Sequence, residues 1–324
     1  MKDKELGTFT ISLDFELMWG VIDINKDAFA DNVKGVYNAL PRLLQLFEQY
    51  GVHATIAPVG LIYCANNIEC LKYIPKKKPS YNNEKISPYI NNFLDTYTAE
   101  HHKMFYAPEL IELLKQYDNI EIGSHTFCHY YCWEKGQTVE QFEDDLKAAV
   151  NISNDNGVNV KSIIFPRNNV SDKYLDVCKK YGITSYRGNP PKYYDEIHSF
   201  LPNMKQRVLR LLDNYVNVGG SNIPSYDSLK HNGMVNVCAS RFLRPYSPKL
   251  AFADGMRLRR IKGEMKSAAM NHRLYHLWWH PMNIGINTEK NLSFIEDILK
   301  YYLSLNNKYG MTSKTMNELA TLLK

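Results

Sequence analysis

The feature of this sequence that most restricts its fold is a repeated switch between two hydrophobic periods. Segments in which apolar and polar residues alternate are followed by segments in which apolar residues recur at helical spacing. The first alternating segment, "TFTISLDFEL", precedes a loop and the amphipathic stretch "GVYNALPRLLQLFEQYG", which ends at Gly51. Strands that alternate with helices in this way predict an α/β fold whose strands run mostly parallel.

Later segments fit strands of the same kind: "HATIAPVG", "IEIGSHT", "VKSIIFPRN", "ITSYRGN" and "HLWWHP". The amphipathic stretches "APELIELLKQYD" and "TVEQFEDDLKAAVNIS" precede the second and third of these. Repeated strand and helix units with short connections favour a parallel (β/α) barrel over an open sheet. Reactive side chains are then expected at the carboxyl ends of the strands.

The chain is long enough for one large barrel. Its 324 residues, 44% of them hydrophobic, can bury a sizeable core, and we expect residues 1–324 to form a single domain. Residues 65–105, rich in Tyr, Asn and Lys, separate the second strand from its helix. An insertion of this length is typical of a cap or a substrate lid.

A second interruption, residues 241–266, concentrates positive charge. Because apolar residues are interleaved with the basic ones, the segment fits contact with a membrane surface or with phosphate groups. A solvated helix face whose apolar residues pack inward explains the same pattern, and both interpretations stay open. The basic residues are Arg241, Arg244, Lys249, Arg257, Arg259, Arg260, Lys262 and Lys266.

Net charge and cysteine content restrict which kinds of partner and which cellular compartment we expect. The net charge of +5 favours an anionic partner, but no nucleic-acid-binding motif accompanies it, so we do not expect nucleic acid. The start of the chain carries no signal sequence, and no apolar run reaches the roughly 20 residues that span a bilayer. The 6 cysteines in so long a chain predict free thiols and a cytoplasmic protein.

The segment "IEIGSHTFCHYYCW" holds the densest group of potential metal ligands. If the chain turns helical after Gly123, His125 and His129 share one face at a spacing common in zinc sites. Cys128 and Cys132 fit poorly, because four ligands from one short helix cannot easily surround a tetrahedral ion. We therefore expect the cysteines to be small buried residues and a third ligand to come from elsewhere.

The first strand offers that third ligand. Because side chains alternate along a strand, Asp14 and Glu16 project to one face while Phe15 points to the other. One carboxylate with two histidines leaves an open position at a metal, and a second carboxylate can take a proton from water. Two separate salt bridges at a strand end are the alternative.

Five segments carry a resemblance in their order and distances: "SLDFE", "GVHATIAPVG", "IEIGSHTFCH", "IIFPRN" and "HLWWHP". Together they resemble the polysaccharide deacetylase family, also called the NodB-homology carbohydrate esterases. The resemblance covers most of residues 8–284 and implies a distorted (β/α)7-type barrel. "EIGSHTFCH" is similar to the family's metal motif, which implies that His125 and His129 are metal ligands.

The resemblance also implies roles for the other candidates. The family's first motif holds a general base and a metal ligand, so Asp14 is the expected base and Glu16 the expected ligand, with the two roles open to exchange. The third motif places an arginine and prolines beside the base. This points to Pro166 and Arg167, with Arg187 as the competing partner of Asp14.

The family's last motif resembles "LYHLWWHP". This implies His280 as the general acid and Trp278 or Trp279 as a wall for an acetyl methyl group. His276 is expected in the core or behind the site.

The implied reaction is hydrolysis of an N-acetyl group from an amino sugar with the help of a divalent metal. Zinc is expected, and cobalt and nickel are the alternatives. For a cytoplasmic enzyme, a nucleotide-linked or lipid-linked precursor of surface polysaccharide is the expected substrate. Two alternatives stay open: a deacetylase-like barrel that only binds saccharide, and a metal-independent hydrolase of another carbon–nitrogen bond.

Overall fold

The computed structural model describes residues 6–23, 26–90, 99–189, 208–209 and 211–324. The described strands are β1 (Thr8–Phe15), β2 (Ala54–Pro58), β3 (Ile120–Ile122), β4 (Ser162–Ile163), β5 (Ser185–Tyr186), β6 (Lys230–His231), β7 (Met234–Asn236), β8 (Arg241–Phe242), β9 (Leu274–Trp279) and β10 (Thr312–Ser313). Six of them lie in the sequence segments that predict them, although most are shorter, and the other four (β6, β7, β8 and β10) lie where no strand was predicted.

Helices lie between the strands, as the sequence predicts. The α-helices are α1 (Ala30–Gln49), α2 (Asn67–Cys70), α3 (Pro108–Leu114), α4 (Val139–Asp155), α5 (Asp172–Lys180), α6 (Asp254–Met270), α7 (Thr288–Tyr309) and α8 (Met316–Leu323). Short 3-10 turns include Leu17–Val21, Gly60–Tyr63, Pro166–Asn168 and Pro281–Ile284. None of the described helices has the length and apolar character needed to cross a membrane.

Strand β1 is the centre of the structure and is buried along its whole length. Its apolar side chains face the helices: Phe9 lies against Tyr302 of α7, with ring centroids 5.4 Å apart. Its polar side chains face the other way, where Ser12 and Asp14 contact the side chain of Arg187. The alternation predicted for this strand is therefore confirmed.

The strands fall into two sheets. One has the order β3-β2-β1-β9-β8, with β10 also paired to β1, and the other has the order β4-β5-β7-β6. All pairs are parallel except that of β6 with β7. The assigned strands do not form one closed sheet.

The two sheets are joined at one end by a backbone hydrogen bond and at the other end by the chain itself. Ser124, beyond β3, donates to the carbonyl of Ser162 in β4, and at the other end Val237, beyond β7, still donates to the carbonyl of Tyr186 in β5. The chain then continues from β7 into β8, which pairs with β9. The ring formed by β9, β1, β2, β3, β4, β5 and the β7–β8 segment has the strand count of a distorted (β/α)7 barrel.

The described part of the predicted cap, residues 65–105, packs on the rest of the domain. Residues 91–98 lie outside the described residues. The backbone N–H of Tyr131 donates to the hydroxyl of Tyr81, at 2.9 Å, and the indole of Trp19 donates to the carbonyl of Phe105. The insertion therefore contacts the chain that follows the predicted metal motif.

Cysteine pairing differs in part from the sequence-based expectation. Cys64 and Cys70 form a disulfide, so the expectation of free thiols is wrong for this pair. The other cysteines are free and buried, as expected. Burial raises the pKa of the Cys128 and Cys132 thiols well above the usual range, which suits packing residues better than metal ligands.

Part of the positive charge of the basic segment 241–266 is engaged in ion pairs inside the protein. Arg241 is buried and donates to Glu264 at 2.7 and 2.8 Å, while Arg260 pairs with Glu264 at 3.0 Å and Asp213 at 3.6 Å. Arg257 is also buried and pairs with Asp254. The sequence pattern could not show this, because the acidic partners lie outside the run or are scattered within it.

Two neighbouring arginines of α6 test whether the buried arginines of this segment compensate buried carboxylates. Arg260→Gln removes a charge that compensates buried Glu264 and Asp213, so we expect the free energy of unfolding to fall by about 3 kcal/mol. Arg259→Gln is the matched control, because Arg259 is exposed, and its effect should stay within about 0.5 kcal/mol. Urea denaturation measures both, and equal effects would contradict the buried ion network.

Candidate active site

The carboxyl end of β1 delivers two carboxylates to the inside of the ring. Asp14 is the next-to-last residue of β1, and Glu16 follows the strand directly. Both are buried, with 3% and 7% of their surface exposed. The chain turns at once after Glu16, where Leu17 has a left-handed φ of 50°.

Close packing fixes the position of the Glu16 carboxylate. A Cβ atom at Gly20 would lie 1.8 Å from Glu16 Oε2. A side chain at position 20 would therefore displace this carboxylate, whereas glycine leaves room for it under the turn after β1.

The two histidines of the predicted metal motif reach the same point, but not from a helix. Residues 125–132 form a loop, so the helical turn after Gly123 that would place the two histidines on one face is not present. Thr126 and His129 have left-handed φ values of 64° and 59°, a conformation that non-glycine residues seldom adopt and that clusters at functional sites. These two turns, and not helical spacing, bring the imidazoles together.

Backbone hydrogen bonds hold this loop against the segment after β2. His125 donates to the carbonyl of Pro58, Gly60 donates to Thr126, and Leu61 donates to Phe127. The approach is close at Gly60, where an added Cβ would lie 2.7 Å from the Phe127 ring.

A buried carboxylate supports the loop from the other side. Asp145 of α4 is fully buried and accepts hydrogen bonds from the backbone N–H groups of Phe127 and Cys128, at 2.8 and 3.1 Å. Burial raises the pKa of Asp145 to about 6, and these hydrogen bonds oppose the rise. The loop between the two histidines is thus fixed by a charge-assisted contact.

Three potential metal ligands converge at the centre of the site. The Nε2 atoms of His125 and His129 lie 3.0 and 3.1 Å from Glu16 Oε1. Glu16, His125 and His129 form a group whose ligand atoms all lie within 4.8 Å of one another. In tetrahedral zinc sites, bonds of about 2.0–2.2 Å place neighbouring ligand atoms roughly 3.3 Å apart, so the arrangement fits one ion.

The electrostatics of Glu16 also fit a cation at this point. Among the described residues, Glu16 forms ion pairs only with imidazoles and none with Lys or Arg. Burial alone would raise the pKa of Glu16, but His280 and His129 outweigh it and hold the pKa well below its usual range. Burial lowers the pKa of His129. A buried carboxylate that has imidazoles but no Lys or Arg beside it is a favourable place for a cation, which a metal would supply.

Asp14 is bound by Arg187, so the expectation that Arg167 is its partner is wrong. Arg187 donates from Nη1 and Nη2 to the two carboxylate oxygens of Asp14, at 2.6 and 2.7 Å. Burial by itself would raise the pKa of Asp14, but the Arg187 guanidinium and then His280 and His125 lower it below its usual value. Asp14 is therefore held ionised.

Arg167 and Pro166 lie farther from the centre. Arg167 pairs with Glu134 at 2.9 Å, and its guanidinium lies 4.1 Å from the centre of the Tyr131 ring. The Tyr131 ring in turn lies 4.8 Å from that of His129. Pro166 is buried at the start of the turn Pro166–Asn168. Arg167 thus packs behind a histidine and does not touch Asp14.

His280 stands opposite the other histidines and faces the opening. Its Nε2 lies 3.6 Å from Glu16 Oε1 and 3.8 Å from Asp14 Oδ2, and its side chain is 24% exposed. Burial would lower the pKa of His280, but Glu16 and then Asp14 raise it above its usual value. His280 is the residue of the group best placed to carry a proton to a molecule that enters.

The two tryptophans of β9 point in opposite directions. Trp278 lies over Arg187, 4.0 Å from ring centre to guanidinium, and beside His280. Trp279 is fully buried against Phe47 of α1. Because side chains alternate along β9, only Trp278 faces the site, and Trp279 is excluded as a wall for the substrate.

Several residues that shape the site were missed in the sequence. Asn168 Oδ1 accepts from both Nε and Nη2 of Arg187, at 3.0 and 2.8 Å. Asp145 and Gly20 support the ligands, as described above. Asn168 lies in the quoted segment "IIFPRN", but its left-handed φ of 52° gives no signal in a single sequence.

A comparison with known protein families finds a match, which includes part of this site. Residues 29–186 match the family model of polysaccharide deacetylase. Over these residues, just under half of the chain, the protein is similar to the polysaccharide deacetylase family. The match includes His125 and His129, whereas Asp14, Glu16 and His280 lie outside the matched residues. The family hydrolyses the bonds that hold acetyl groups, so the protein is a hydrolase and its reaction class is deacetylation of an acetylated saccharide.

Solved structures with the same fold are distant in sequence. A protein from Mycobacterium smegmatis described as a polysaccharide deacetylase has a TM-score of 0.57 and 13% identity, over 98% of this chain and 90% of its own. One from Pseudomonas aeruginosa PAO1 with the same description has a TM-score of 0.53 and 10% identity, over 97% and 90%.

The GH57-type branching enzyme from Pyrococcus horikoshii has a TM-score of 0.54 and 12% identity, over 100% of this chain and 71% of its own. At such identities the likeness shows the fold alone. A comparison with curated proteins found no match.

The contact of Asp145 with the loop gives a test of metal binding. In Asp145→Asn, an amide can accept only one of the two backbone hydrogen bonds, so we expect affinity for zinc to fall by about 10- to 100-fold. Glu143→Gln on the same helix is the control, because its partner is the exposed Lys180. Competition with a chromophoric chelator measures both, and unchanged affinity in Asp145→Asn would contradict the support role.

The raised pKa of Asp145 also predicts a pH dependence of stability. The folded-state pKa of about 6 lies above the usual 3.8, so this group stabilises the fold below about pH 4. That contribution is lost as the pH rises through 6. Relative to Asp145→Asn, the metal-free wild type should lose about 3 kcal/mol between pH 4 and pH 7. Denaturant unfolding of both across this range measures it, and a constant difference would contradict the assignment.

Proposed function

We propose that the protein removes the N-acetyl group of an amino sugar by metal-assisted hydrolysis. The observation that supports this is the convergence of Glu16, His125 and His129 on one point inside the ring, 3.0 to 3.1 Å apart. Beside that point lie an ionised carboxylate, Asp14, and a partly exposed imidazole, His280. This pairs a metal-binding group with a base and an acid.

In this proposal Glu16, His125 and His129 hold a divalent ion. A bound ion polarises the acetyl carbonyl and makes water more acidic. Two imidazoles and one carboxylate suit zinc, with cobalt and nickel as alternatives. The geometry favours Glu16 over Asp14 as the ligand, because Arg187 already occupies both oxygens of Asp14.

Asp14 is the proposed base. Arg187 keeps it ionised and fixes the plane of the carboxylate, so it can accept a proton from the attacking water. Its Oδ2 faces His280 at 3.8 Å, which leaves the reacting atoms between the two side chains.

His280 is the proposed acid. Carboxylates on two sides favour its protonated form, and its partly exposed edge can donate the proton to the departing amine. Trp278 and Phe242 stand beside it, with ring centroids 5.8 and 5.9 Å from the imidazole. These rings offer an apolar surface for the acetyl methyl group.

The natural substrate is proposed to be a cytoplasmic precursor of surface polysaccharide, a nucleotide-linked or lipid-linked acetamido sugar. This part rests on the sequence. Of the basic residues that suggested a phosphate, Arg241, Arg257 and Arg260 are engaged inside the protein. The insertion at 65–105 is proposed as a lid, since it contacts Tyr131 beside His129.

Acetate release tests the function. Zinc-loaded protein should release acetate from N-acetylglucosamine oligosaccharides or from UDP-N-acetylglucosamine. Asp14→Asn and His280→Asn should each lower kcat by about 100- to 10,000-fold, because each removes one proton-transfer group, while metal content stays unchanged. His231→Asn, an exposed histidine on β6, is the control and should match the wild type.

The alternatives give different results. Saccharide binding with full metal content but without acetate release would favour a binding protein on this fold. Acetate release that survives complete removal of the metal would contradict the metal-assisted reaction and favour a metal-independent hydrolase.

A further inference from the structure

A buried histidine outside the proposed machinery connects to it through a chain of hydrogen bonds. His276 of β9 is fully buried. Its Nδ1 lies 2.8 Å from the carbonyl oxygen of Val237, and its Nε2 lies 2.8 Å from Ser12 Oγ. A carbonyl can only accept, so Nδ1 carries the proton. In a neutral ring Nε2 must then accept the hydroxyl hydrogen of Ser12.

The direction of the Ser12 hydroxyl matters for Arg187. With its hydrogen on His276, Ser12 Oγ turns a lone pair toward Nη1 of Arg187, at 3.0 Å. The remaining N–H groups of Arg187 go to Asp14 and Asn168. All five donors of this fully buried guanidinium are thereby used. Each of these hydrogen bonds restricts the orientation of the guanidinium plane, and that orientation determines how Arg187 meets Asp14.

We propose that His276 is a positioning residue: as the neutral Nδ1–H tautomer it orients the Ser12 hydroxyl, which holds Arg187 in register with Asp14. The inference rests on the proposed function, in which Asp14 is the base. Its effect falls on the placement of Asp14 and not on metal binding, because the chain from His276 ends at the carboxylate that Arg187 occupies.

The surroundings of His276 support the neutral form. Burial, and then the nearby Arg187 charge, lower the pKa of His276 to about 3. A protonated ring would place a second cation beside Arg187 and direct an Nε2–H at Ser12 Oγ. The serine hydrogen would then turn away from His276, where it competes with the Nη1 donor.

The tautomer can be measured without any substrate. In the full-length zinc-loaded protein with ¹⁵N-labelled histidine, the His276 signals are assigned by their loss in His276→Gln. We expect a protonated Nδ1, a bare Nε2 and no titration between pH 5.5 and 8. An Nε2–H tautomer, or titration in this range, would overturn the proposal. Because this experiment needs no activity, it stands apart from a failure of the proposed function.

Kinetics then test the positioning role. His276→Leu removes the acceptor, so we expect kcat for acetate release to fall about 10- to 100-fold, with KM and zinc content within about twofold of the wild type. His276→Gln keeps a donor for Val237 and an acceptor for Ser12, and it should restore most of the rate. Unchanged kcat in His276→Leu, or no recovery in His276→Gln, would overturn the proposal.

Two further variants separate positioning from general stability. Ser12→Ala should lower kcat as His276→Leu does, and the double variant should lose no more than either alone, because both break one chain. Thr10→Val is the matched control, since Thr10 also faces inward on β1 but donates to the carbonyl of Lys314. A full additive loss in the double variant, or an equal loss in Thr10→Val, would contradict the proposal.

Discussion

The burial of two carboxylates at the end of β1 is the constraint on which the rest of the site depends. A buried charge is costly unless opposite charge and hydrogen bonds surround it. Asp14 meets this need with Arg187, whose other donors are held by Ser12 and Asn168. Glu16 has only imidazoles around it among the described residues. The charge of Asp14 is therefore compensated within the protein, while the charge of Glu16 calls for a cation.

Much of the fold and of the site could be predicted from the sequence. The alternation of Phe9, Ile11, Leu13 and Phe15 showed which face of β1 packs on helices, and the same rule placed Asp14 inside the ring. The strand segments and their order also predicted the parallel α/β fold. These predictions succeeded because the alternation of apolar and polar residues along a strand reflects which side chains pack against the helices. That alternation can be read directly from the sequence.

Apart from the local disulfide between Cys64 and Cys70, the differences from prediction concern contacts between distant segments or a left-handed backbone. Arg167 lies in the segment "IIFPRN", which resembles the family's third motif. Arg187, which follows the two-residue strand β5, is nevertheless the residue that contacts Asp14. The histidine loop is bent by left-handed residues such as Thr126 and not by helical turns. Within residues 241–266, Arg241 and Arg260 are paired with Asp213, which no local pattern could indicate.

The central claim, that Glu16, His125 and His129 hold one divalent metal, is tested most directly by elemental analysis of the purified protein. The wild type should contain close to one equivalent of metal after incubation with zinc, and the His125→Ala, His129→Ala double variant should contain little. A double variant of Lys78 and Lys85, both exposed, to alanine is the control for folding and handling. Equal metal in the wild type and the histidine variant, or none in either after incubation with zinc, cobalt and nickel, would contradict the claim.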